Sequence, residues 1–121
     1  MKHIALLFVV AVVLMTAVPA NAQSTAKAEQ GAALFTSQKC TMCHSVAGKG
    51  NAKGPLDKVA STRTPDEIRQ WLLDPEGMRA KTKATRTPPM KPIKLSGDQI
   101  DALVAYLTSL KPAKANGGTL Q

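Results

Sequence analysis

Two thiols and an imidazole stand together at Cys40-Thr41-Met42-Cys43-His44, the densest reactive cluster in the chain. The spacing puts both sulfurs on one turn with the ring directly after them. A disulfide between Cys40 and Cys43 would close a very short loop, which removes little freedom from the unfolded chain and so stabilises little. A structural zinc site needs further Cys, His or carboxylate ligands at matching spacing. There is no third Cys, and the other His, His3, sits in an N-terminal leader. A thioredoxin-like redox pair would lie beside strands, and no alternating β-branched run flanks residue 40. The remaining chemistry accounts for every member of the cluster. Cys-x-x-Cys-His is the attachment sequence of c-type haem: each thiol adds to a vinyl group of the porphyrin, and the His becomes the proximal iron ligand. The motif predicts one haem c, bound covalently through Cys40 and Cys43 with His44 on the iron.

Past the leader His44 is the sole His, so a second imidazole ligand cannot come from the same chain. A Met sulfur is the natural sixth ligand for an electron carrier of high potential. Met42 lies inside the attachment turn, on the proximal side, and cannot reach around the ring. Met90 lies in Thr87-Pro88-Pro89-Met90-Lys91-Pro92, where prolines keep the backbone extended and forbid a helix, so its side chain can project from a stiff loop. Met78 follows Gly77 in a less constrained stretch. The loop argument favours Met90 and leaves Met78 as the alternative; either could instead be an ordinary buried Met.

The elements that must position these groups are legible in outline. Lys2-His3, the apolar run Ile4 to Val18 and the small-x-small Ala20-Asn21-Ala22 read as a secretory signal peptide over residues 1–22, cleaved after Ala22. The run is shorter than the roughly 20 residues a spanning helix needs. Export to the periplasm follows, in a compartment where disulfides persist. Gln23 to Gln121 then forms one domain, with a core over about residues 26–112 and a frayed tail. Its only aromatics are Phe35, Trp71 and Tyr106, so a large flat apolar cofactor would supply bulk that the core lacks.

Ala28 to Gln38 reads as a helix, with Gly31, Leu34 and Phe35 at helical spacing. Val46 to Ala60, which contains Gly54-Pro55-Leu56, reads as loop. Thr64-Pro65-Asp66-Glu67 is a capping-box start with Pro at the first helical position, for a helix that runs to Leu73 and stops before Pro75. Ser96-Gly97-Asp98-Gln99 repeats the logic. Ile100, Leu103, Val104, Leu107 and Leu110 then mark one apolar face, and Pro112 ends the helix. No strand is apparent. The predicted class is all-α, about three to four helices around one haem.

Taken together, these residues resemble the bacterial class I cytochrome c family over about residues 26 to 112. The resemblance rests on Gly31 and Phe35 before Cys40-Thr41-Met42-Cys43-His44, on Met90 six residues before Ser96, and on Leu103 with Tyr106-Leu107 in the last helix. It implies that the first and last helices cross closely at the small residue. It also implies that the Gly54-Pro55-Leu56 loop offers the Pro55 carbonyl to the His44 ring proton, a bond that would fix the ring. Met90 takes the distal place, although the family's Met-Pro pair is Met90-Lys91-Pro92 here. Trp71 and Tyr106 either hydrogen-bond a haem propionate or pack in the core. The implied function is single-electron transfer without a transformed substrate. A haem-bearing subunit of an oxidoreductase complex is the alternative, and an open-iron enzyme or gas binder becomes relevant if no Met coordinates.

The formal net charge is +8. Arg79, Lys81, Lys83, Arg86, Lys91 and Lys94 fall between Glu76 and Asp98 with no acid among them. Around a distal Met90 such a patch would steer a redox protein with an acidic docking surface to the haem edge; it reads equally as a solvated basic loop. Export and the lack of interleaved aromatics argue against nucleic acid. An anionic membrane surface is at most a weak contact.

Overall fold

The computed structural model describes residues 19–110. The leader through Val18, the tail from Lys111 and the Pro112 stop lie outside the described residues. The chain runs through α1 (Ala20–Ser37), a 3-10 turn (Cys40–Met42), β1 (Ser45–Val46), β2 (Lys49–Gly50), α2 (Val59–Thr62), α3 (Pro65–Leu73), α4 (Pro75–Thr82) and α5 (Gly97–Ser109). The fold is all-α apart from one small ribbon, and no described helix is long and apolar enough to cross a membrane.

The first helix starts eight residues before the expected Ala28, directly after Pro19. Ala, Gln and Lys in Ala20–Lys27 are good helix formers with no breaker among them, and this added stretch is almost wholly exposed. Only Gly31 and Phe35 of α1 are buried. Gly31 has a steric reason to be glycine. A Cβ there would run into the Ala102 carbonyl and come within 2.6 Å of Tyr106 Cβ, so α1 and α5 approach backbone to backbone. Phe35 and Tyr106 close the crossing, with ring centroids 5.7 Å apart and tilted by 59°.

Both capping boxes form. In α3 the Thr64 hydroxyl accepts from the Glu67 amide (3.2 Å) and Glu67 accepts from the Thr64 amide (2.9 Å). In α5 Ser96 and Gln99 exchange the same pair at 3.4 and 3.0 Å. The helix α4 was not expected. Asp74 ends α3 and at once caps the next helix by accepting from Gly77 N at 2.9 Å, while Pro75 sits at its first position. A proline that stops one helix therefore starts another. The expected loop after the attachment turn holds a two-residue antiparallel ribbon, Ser45 opposite Gly50 and Val46 opposite Lys49. Its turn, Ala47-Gly48, has positive φ at both residues (50° and 74°), as the tightest hairpins require.

The core joins Phe35 of α1, Ile68 and Leu72 of α3, and Ile100, Leu103, Val104 and Leu107 of α5. Leu110, expected on the same face, is half-buried at the end of α5. Asp101 ties the three helices at the surface, bonded to Arg69 of α3 and 3.6 Å from Lys27 of α1.

Candidate functional site

A cavity of about 600 Å³ opens beside this core, within the size range of small-molecule and cofactor sites. Its walls are apolar: Phe35, Leu56, Val59, Ile68, Trp71, Leu72, Ile93, Leu103 and Leu107 all face it. Cys40, Cys43 and His44 line it from the 3-10 turn, and Pro88, Pro89 and Met90 line it from the loop after α4. Six of the seven residues expected to hold a cofactor therefore meet in one space: Cys40, Cys43, His44, Leu56, Trp71 and Met90. Pro55 does not. It is exposed and absent from the lining, and the carbonyl facing the His44 ring belongs to Gly54, 3.2 Å from Nδ1. The reason is the register of the loop. Ser45 N donates to Gly54 O at 3.0 Å and Leu56 N donates to Ser45 O at 2.8 Å, a pairing that brings the Gly54 carbonyl against the His44–Ser45 segment.

The three methionines separate cleanly. Met42 is 68% exposed and does not line the cavity. Met78, 3% exposed, is buried on α4 and does not line the cavity. Met90 is half-buried against the core and lines it. Tyr106 packs on Phe35 instead of reaching the cavity, which matches the core reading of that residue.

Local structure explains the attachment turn. Lys39 adopts the left-handed conformation (φ 57°) after α1, and the amides of Cys43 and His44 both donate to the Cys40 carbonyl, at 3.1 and 2.9 Å. That turn carries the two sulfurs and the ring to the same edge. Both thiols are free. Burial pushes the Cys40 thiol up, against the opposing pull of its own backbone hydrogen bond. Burial also holds the His44 imidazole below its ordinary value, offset by its bond to Gly54 and reinforced by nearby Arg86. A neutral ring with Nδ1 facing a carbonyl keeps Nε2 as the free donor to a metal.

These features fit a covalent haem. The donor set comprises two thiols on one turn, an imidazole oriented through its other nitrogen, a thioether on the same cavity and a wide apolar wall. Among the described residues no group of three or more His, Cys, Asp and Glu is arranged to hold a metal ion without a porphyrin. Sequence reasoning missed the cations on the lining, Lys39 and Arg63, and gave Arg79, Arg86 and Lys91 no place at the site itself. For Arg79, Arg86 and Lys91 the acid-free run between Glu76 and Asp98 was the signal, whereas Lys39 and Arg63 lie outside it. Arg79 is held by its bond to the Ala84 carbonyl at 3.0 Å, and Arg86 donates to the Cys43 carbonyl.

An all-α fold with a Cys-x-x-Cys-His turn opening onto an apolar cavity defines a haem-bearing electron-transfer protein. Residues 28–111 match the family model of cytochrome c, and the chain belongs to that family. It is 30% identical to cytochrome c oxidase subunit 2 of Alkalihalophilus pseudofirmus, over 69% of this chain and 26% of that protein. It is 32% identical to cytochrome c oxidase subunit 2 of Bacillus subtilis, over 75% of this chain and 29% of that protein. The chain thus matches under a third of the length of either relative. No solved structure matches it significantly.

Proposed function

We propose that this protein is an exported, periplasmic monohaem cytochrome c that carries single electrons between redox proteins of a respiratory chain and transforms no substrate. Cys40 and Cys43 would hold the haem by thioethers, and His44 and Met90 would be its axial ligands. The observation that carries the reading is that both thiols, the oriented imidazole and a single methionine line one apolar cavity, while the other candidates are buried in the core or face solvent. Bound there, the haem supplies an iron that cycles between ferric and ferrous states. The chain's residues do the rest. Gly54 O keeps the His44 ring in one orientation, the aliphatic wall excludes water, and a Met ligand with apolar surroundings favours a high potential. Arg79, Arg86 and Lys91 bring the basic run to the cavity lining, where they would draw an acidic redox partner to the site of electron exit.

A mass and an absorption spectrum of the mature protein, made with haem-attachment machinery, test the attachment. The near-infrared sulfur-to-iron band of the oxidised protein tests the ligand: it should persist in Met78→Ala and vanish in Met90→Ala. A colourless product with the mass of the polypeptide alone, beginning at Met1, would end the reading. The similarity to two oxidase subunits favours one second reading, a haem-bearing subunit of an oxidoreductase complex. Purification from the native host separates the two, because a subunit leaves the column with its complex and a carrier leaves alone.

A further inference from the structure

Met90 sits on a stretch with very few attachments. Among the described residues, the loop after α4 is held at its start by Ala84 N on Arg79 O (3.1 Å) and at its end by Ile93 N on Leu72 O (3.4 Å). Between those points, one hydrogen bond joins it to another part of the chain, from the Arg86 guanidinium to the Cys43 carbonyl, across 43 positions of sequence. A second observation shows that the guanidinium has a built seat. Gly54 is buried, and a Cβ there would strike Arg86 Nη1 and the Cys43 carbonyl and come within 2.7 Å of Arg86 Cζ. The glycine that offers its carbonyl to His44 thus also clears the space for the arginine.

We propose that Arg86 is a positioning residue, a strut that ties the Met90 loop to the attachment turn and limits how often the distal thioether swings off the cavity. The inference rests on Met90 as the distal ligand. The prolines stiffen the loop internally but do not fasten it to the body. A planar guanidinium bonded to a backbone carbonyl does, and its fork is pre-organised where a lysine would be free to rotate. Without the strut the loop hangs between Ala84 and Ile93, and loss of Met90 from the iron becomes a local opening that leaves the helices intact.

The experiment measures how fast imidazole binds the oxidised, haem-loaded full chain, a rate governed by loop opening. Arg86→Gln should bind imidazole about fivefold faster than the wild type, the size expected for one solvent-exposed charged hydrogen bond. Its near-infrared band should vanish at lower denaturant than its helical circular dichroism. Lys94→Gln removes the same charge from the same basic run and should behave as wild type. Equal rates in all three proteins, or equal increases in both variants, would overturn the strut. If the wild type lacks the near-infrared band, the Met90 ligation fails separately. The strut is then read from amide hydrogen exchange at Thr85 to Thr87, which must be faster in Arg86→Gln than in Lys94→Gln.

Discussion

The crossing of α1 and α5 and the loop that carries Met90 are held by opposite means. At the crossing, Gly31 lets two backbones meet, Phe35 and Tyr106 seal the contact, and Leu103 beside them is fully buried. Around Met90 the chain is extended, mostly exposed and hydrogen-bonded to the body at three places. The first region commits its apolar surface to rigidity. The second keeps one side chain free to face a cofactor. On the proposed reading both are used: thioethers and packing would fix the proximal side, while the distal side would present Met90 without closing the cavity.

Pairs of substitutions can break or sharpen that contrast. The largest effect is expected at a buried side chain outside the loop: Met78→Ala on α4 should cost about 2–5 kcal/mol in chemical denaturation, with the near-infrared band kept in the folded fraction. Met90→Ala should cost far less stability, yet lower the reduction potential by roughly a few tenths of a volt, within the roughly 0.8 V that axial ligands span. Similar stability losses in both would mean that the loop belongs to the core, and the contrast would dissolve. Next, Gly31→Ala should cost about 1–3 kcal/mol through overpacking at the Ala102 carbonyl, lowering Tm by about 4–8 °C per kcal/mol without moving the potential. Ser96→Ala removes an N-cap and should cost about 1 kcal/mol.

The smallest effect concerns pH. The hydrogen bond from Arg69, followed by that cation's charge and the charge of Lys27, holds the Asp101 carboxyl below its ordinary range. A depressed carboxylate contributes stability that is present above its unfolded pKa, about 3.9, and lost as pH falls through the lower folded value. Asp101→Asn should therefore unfold slightly earlier at neutral pH and show a shallower fall in Tm below about pH 4. An unchanged acid profile would remove Asp101 from the ties between α1, α3 and α5.

Much of the fold could be read from local pattern. Thr64 with Glu67 and Ser96 with Gln99 lie three positions apart and exchange hydrogen bonds within one turn, so residue types alone predict those helix starts. The α4 helix escaped because Pro75 carries two opposite meanings, a stop for the helix before it and a start for the helix after it, and Asp74 decided between them. The ribbon at Ser45–Gly50 escaped because two-residue strands leave no alternation to detect.

By itself the sequence determined the turn that gathers Cys40, Cys43 and His44 and the capped ends of α3 and α5, since each depends on atoms a few residues apart; that Gly31 must be small was decided by the approach of α5 at Ala102 and Tyr106. Tertiary structure decided the rest: that Gly54 and not Pro55 faces the imidazole, that Met90 lines the cavity while Met78 is buried in the core, and that Arg86 reaches the Cys43 carbonyl. Those outcomes turn on which groups meet across long stretches of chain. Spacing in sequence carries no record of such distances until the helices have packed.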